Sequence, residues 1–106
     1  MELENIIMEL IIHAGESRSC SMEALRAARQ SDWTLAEQHL TAAKVAVREA
    51  HLIQTQLIGA DEGMGKIPVS LILVHAQDHL MNAMLCRELA EELIYCHREI
   101  SSLKNR

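Results

Sequence analysis

The chain has 106 residues and a formal net charge of −5, with 49% hydrophobic residues but only 2% aromatic ones and no phenylalanine. That length fits one domain, residues 1–106, and the apolar content (Leu, Ile, Ala, Val, Met) suits helix–helix seams better than sheet faces. Ten basic residues scattered among fifteen acidic ones argue against nucleic acid as a partner, and three cysteines without a CxxC pair argue against a disulfide framework.

Three helical segments account for almost the whole chain. The first is predicted from about Leu3 to Gln30, with Ile6, Ile7, Leu10, Ala14, Ala24, Leu25 and Ala28 at helical spacing; Gly15 is a point where it could kink or loosen. Ser31-Asp32 ends it and supplies an N-cap for the next helix, with Trp33 as a packing anchor at the junction. The second runs from about Trp33 to Ile58, with Ala36, Leu40, Ala43, Val47, Ala50, Gln54 and Ile58 on one side. Three glycines and two acids then fall between Gly59 and Lys66, which reads as a mobile loop without apolar anchors. The loop is no phosphate cradle, since Lys66 is followed by Ile67-Pro68 rather than by Ser or Thr. The third helix is predicted from Pro68-Val69, proline being suited to a first helical turn, to about Leu103. The fold class is therefore all-α, an antiparallel three-helix bundle in up-down-up order.

No basic segment followed by an apolar stretch stands at the start, and no apolar run approaches the length that spans a bilayer. The expectation is a cytoplasmic protein without membrane insertion.

On the wheel of the third helix one stripe holds Ile72, His75, His79, Asn82, Cys86, Leu89, Leu93 and Ile100, with Asp78 beside it. Its apolar run is interrupted in the middle by His75, Asp78, His79 and Asn82, neighbours three, four and seven residues apart. Polar groups in an apolar seam cost stability unless they are paired. Around them Leu71, Leu73, Val74, Leu80, Met81, Met84 and Leu85 cover nearly every remaining direction. A helix apolar all round is buried all round, and a three-helix monomer cannot cover every face of one member, so an oligomer with this helix near its centre follows. The polar group itself admits three readings: a satisfied core network, a metal site with His75, Asp78 and His79 as ligands, or a reactive imidazole, histidine being the side chain suited to act as a neutral nucleophile near pH 7.

The stretch SLILVHAQDHLM, residues 70–81, resembles the active-site segment of the IIA component of the lactose/cellobiose-type phosphotransferase system. So do IIHAGESRS at 11–19, EAHLIQT at 49–55 and the glycine-rich loop before Lys66, so the resemblance covers nearly the whole chain in order. It implies a homotrimer of three-helix protomers that receives a phosphoryl group from the phosphocarrier protein HPr and passes it to a cysteine of the IIB component during uptake of a β-disaccharide. It also implies that His75 is the phosphoryl acceptor, that His79 and Gln77 are its catalytic neighbours, and that Asp78 lies at the trimer axis with a divalent metal ion, Mg2+, one per trimer. A metal-binding bundle and a helical adaptor without chemistry are the rival readings. Cys86 and Cys96 read as packing residues, and His13, His39, His51 and His97 as structural.

Overall fold

A computed structural model describes residues 2–105. It consists of α1 (Leu3–Arg29), α2 (Trp33–Asp61) and α3 (Leu71–Lys104), packed into a rod of 60 × 20 × 19 Å. The first connection is tight because Ser31 takes a left-handed conformation at φ 59°, while the amides of Gln30 and Asp32 return to the Ala27 carbonyl. The Asp32 carboxylate then accepts from the Leu35 amide at 3.2 Å and caps α2, satisfying one of the amide donors that every helix start leaves free.

The α1–α2 seam is built of small residues. Ala14, Ser17, Ser21, Ala24 and Ala28 on α1 are buried, as are Ala36, Ala43, Ala46 and Ala50 on α2. Side chains of this size let two backbones come close, and the Ser17 hydroxyl reaches across to donate to the Ala43 carbonyl at 2.7 Å. Two core clusters result. The upper one carries the large side chains Ile7, Leu10, Ile53, Leu57, Leu73 and Leu80; the lower one is mostly alanine, closed by Leu40 and Ile94 with Trp33 and Leu25 against it. Trp33 is the anchor expected of it.

The helix count and order match the sequence reading, and four details differ. Gly15 does not interrupt α1, which is continuous through it. The buried face of α2 runs 43, 46, 50, 53, 57; stepping instead through Val47, Gln54 and Ile58 walks off that face, and Ile58 ends up exposed. Helix α2 continues through Gly59 to Asp61, and α3 begins at Leu71 under a Ser70 cap, so Pro68 lies in the connection. That connection has anchors: the Asp61 carboxylate accepts from the amides of Gly65 at 3.3 Å and Ile67 at 2.9 Å, and Ile67 packs on the upper core.

Helix α3 buries Leu73, Ala76, Leu80, Ala83, Ala90 and Ile94. The stripe read as a buried seam lies outside that core: Ile72, His75, Asn82, Leu89, Leu93 and Ile100 are all exposed in a single chain. Facing outward is an exposed row of Leu71, His75, Asp78, Asn82, Leu85, Leu89, Leu93, Cys96, Ile100 and Leu103, which repeats at steps of three and four like a coiled-coil seam.

Candidate functional site

His75 sits in the second turn of α3, and the local sequence fixes where that turn is. Ser70 is extended, its hydroxyl accepts from the Leu73 amide at 3.2 Å, and its carbonyl accepts from Val74 at 3.1 Å. Two polar contacts to one cap residue start the helix at Leu71 and place residues 75 and 79 on successive turns of the same side. Their imidazoles stack, with ring centroids 5.7 Å apart and planes 16° from parallel. His75 is exposed and His79 half-buried.

His79 leans on α1. A β-carbon built at Gly15 would stand 3.3 Å from His79 Nε2, so a side chain at residue 15 would press on this edge of the ring and make it give by a few tenths of an ångström. α1 and α3 run parallel along this seam. Ile72 faces Glu4, Ile7 and Met8 around a shallow cavity of about 250 Å³, and about six turns lower Leu93 and His97 meet Met22, Leu25 and Arg29. The histidine pair lies between these two points, with Met8, Ile12 and Ile72 exposed around it.

The other two candidate residues point elsewhere within one chain. Gln77 is about 200° round the helix from His75; its side-chain oxygen accepts a hydrogen bond from Gln54 Nε2 on α2. Asp78, about 60° from His75, faces outward and accepts from Asn82 Nδ2 at 3.2 Å. A single protomer therefore assembles His75 with His79 but not with Gln77. Among the described residues no group of three or more His, Cys, Asp or Glu side chains is placed to hold a metal ion, so His75, Asp78 and His79 do not form the single-chain metal site that their spacing allowed.

Sequence reading missed two features of the site. One is Gln54, the α2 partner of Gln77; its place in a family-like segment was the available signal. The other is Gly15, whose significance lies in what it faces and not in its own helix.

No helix among the described residues is long and apolar enough to cross a membrane. Residues 5–98 match the family model described as the lactose/cellobiose-specific IIA subunit of the PTS system. The chain is 50% identical over 101 residues to the N,N'-diacetylchitobiose-specific EIIA component of Escherichia coli K12, covering 95% of this chain and 87% of that protein. It is 42% identical over 100 residues to the lichenan-specific enzyme IIA component of Bacillus subtilis, covering 94% and 91%. Among solved structures, the cellobiose-specific enzyme IIA of Bacillus anthracis superposes with a TM-score of 0.91 at 40% identity, covering 96% of this chain and 94% of that one. The IIA(chitobiose) of E. coli, solved in complex with HPr, superposes with a TM-score of 0.83 at 48% identity, covering 95% and 98%. With matches of this extent in sequence and in fold, the chain belongs to the family of lactose/cellobiose-specific IIA subunits of the sugar phosphotransferase system.

Proposed function

We propose that this protein is the cytoplasmic phosphoryl carrier of a β-disaccharide phosphotransferase system, accepting its phosphoryl group on His75 from HPr and yielding it to a cysteine of the IIB component. The observation that carries this reading is the exposed His75 imidazole, stacked on His79, in a chain 48% identical to a IIA protein solved together with HPr.

The chemistry needs little machinery. The lone pair of a neutral His75 nitrogen, Nε2 in this reading, attacks phosphorus in line; a new N–P bond forms as the N–P bond of the phosphohistidine donor breaks, the donor imidazole leaves neutral with the proton on its other ring nitrogen, and His75 keeps its own proton at Nδ1. In the second step the IIB thiolate forms an S–P bond as the N–P bond on His75 breaks. Transfer of this kind is governed by positioning and electrostatics, and an acceptor exposed at the surface meets a protein donor without a closing lid. His79, stacked on the acceptor, is the group placed to orient it and to donate to a phosphoryl oxygen.

The assembly proposed is a homotrimer around α3. Its outward row from Asp78 to Leu103 is the face a lone protomer leaves uncovered, and parallel packing of three copies covers it, while His75, at the edge of that row, lines the groove between two subunits and stays open to a protein donor. In that arrangement the flank of α3 bearing Gln77 on one chain turns toward the His75 flank of the next, which brings Gln77 to the site between subunits. Three Asp78 carboxylates then converge with three Asn82 side chains at the axis. An all-oxygen donor set of this kind suits a hard divalent cation such as Mg2+, which would supply charge neutralisation and no step of the transfer.

The test is to incubate the protein with phosphoenolpyruvate, enzyme I and HPr and to map the acid-labile phosphate. Label on His75 is the expected result; label elsewhere, or none, overturns the assignment.

A further inference from the structure

Gly15 stands in the middle of a 27-residue helix, the position for which glycine is least suited. Its backbone does not require it: Gly63 and Gly65 in the connection before α3 have positive φ, whereas Gly15 does not. What singles it out is the neighbour. The space its missing side chain leaves is bounded by His79 Nε2, 3.3 Å from an ideal β-carbon, and the face of the same ring is stacked on His75. The backbone of α3 at this level is pinned by Ala76, Leu80 and Ala83, all fully buried. A methyl group at residue 15 would therefore be absorbed by the His79 ring turning about its side-chain bonds, and the ring cannot turn without changing its contact with His75.

We propose that Gly15 is a positioning residue for phosphoryl transfer, acting through His79: its bare backbone lets the His79 ring lodge against α1 and so holds the stacked His75 imidazole in its accepting orientation. This rests on His75 as the acceptor. It gives Gly15→Ala two effects of opposite sign. Alanine is the better helix former and leaves the unfolded chain fewer conformations to lose, so the variant should melt no lower than the parent protein. A displacement of a few tenths of an ångström at the His79 ring, passed on to the acceptor stacked against it, should at the same time slow the acceptor's reaction, roughly tenfold.

The experiment is a double-mutant cycle on the assembled protein, with Gly15→Ala, His79→Ala and the pair. It combines thermal melts, single-turnover transfer from phosphorylated HPr, and NMR of the imidazole resonances. Gly15→Ala alone should slow transfer and move the ring signals of both His75 and His79. On the His79→Ala background it should change the rate less than about twofold, the coupling expected of two residues in contact. Transfer at the parental rate, equal slowing on both backgrounds, or a lowered melt that His79→Ala fails to restore would each overturn the proposal. A parent protein that takes no phosphate on His75 would instead remove the assignment beneath it, and the ring signals would still report whether residue 15 moves the histidine pair.

Discussion

Asn82 donates a hydrogen bond to the Asp78 carboxylate across one turn of α3, at 3.2 Å, with both side chains turned away from the bundle core. One amide satisfies part of one carboxylate and leaves its charge in place. In the trimer proposed above, three such carboxylates come together and repel one another, and a bound cation would offset this. On that proposal Asp78→Leu removes the repulsion and the proposed cation site together. Replacing buried charge by a well-packed apolar side chain is neutral or stabilising by about 1–4 kcal/mol in comparable cases. The variant should remain trimeric and melt no lower than the parent, with a melting temperature indifferent to chelator. Sedimentation and thermal melts with and without chelator check this; an Asp78→Leu protein that dissociates would show instead that the carboxylate makes a required pairwise contact.

The two histidines should separate by severity. His75→Gln keeps an exposed polar side chain outside the core and should fold normally, yet accept no phosphoryl group from HPr. His79→Gln retains a donor but loses the stacked ring, so transfer should slow about 10²-fold, the scale of a misplaced reactive group, without vanishing. Circular dichroism beside a transfer assay distinguishes loss of chemistry from loss of fold.

Two cysteines report on different surfaces. Cys96 is exposed in a single chain and belongs to the outward row of α3, so it should resist alkylation in the native assembly and react quickly once a seam substitution such as Leu89→Glu breaks that assembly. Cys20 should be slow in both states. Burial first, then the charges of Glu16 and Glu23, hold its thiol above the ordinary value of 9.0, so little thiolate is present near neutrality. The same shift has a sign for stability. The folded chain holds this proton more tightly than the unfolded one, so the contribution is fully present below pH 9 and is lost as pH rises through the folded value. Cys20→Ser should flatten the alkaline fall of the melting temperature; an unchanged pH profile would show that the thiol plays no part in it.

Asp61 closes the connection between α2 and α3 by accepting from the amides of Gly65 and Ile67. Asp61→Ala should lower stability by about 1–2 kcal/mol, the worth of one or two hydrogen bonds, and speed amide exchange at both residues. Exchange at Leu73, whose amide is held by Ser70, should change little. Unchanged protection at Ile67 would show that its packing on the core, and not Asp61, holds the loop.

The three helices were legible because their apolar residues recur at helical spacing and because Asp32 announces the start of α2. The face that α3 turns to the bundle was not. Periodicity weights large side chains, and the core side of α3 is rich in alanine: Ala76, Ala83 and Ala90 occupy positions where another helix comes close. The larger residues on the opposite side drew the reading toward a face that one chain leaves exposed. Gln77 was joined to His75 by the family resemblance alone, since residues two apart on a helix point in nearly opposite directions, and within one chain its side chain meets Gln54 instead. The clamp formed by Asp61 was hidden because it is a side-chain-to-backbone contact within a glycine-rich run, where composition signals only a break.

Both chromophores of this chain, Trp33 and Tyr95, lie at the alanine-built end of the bundle. Trp33 packs against the lower cluster, with the Arg98 guanidinium 5.3 Å from its ring centroid, and Tyr95 borders a cleft with Leu40, Ile94 and Arg98. The upper end, with the larger aliphatic residues and the histidine pair, contains neither. Intrinsic fluorescence therefore watches one half of the molecule. If the two clusters loosen at different temperatures, a fluorescence melt will follow the lower and calorimetry both, and the gap between the curves will measure how tightly the halves are coupled. A phosphoryl group arriving on His75 should pass without an optical signal until a tryptophan is placed at that end.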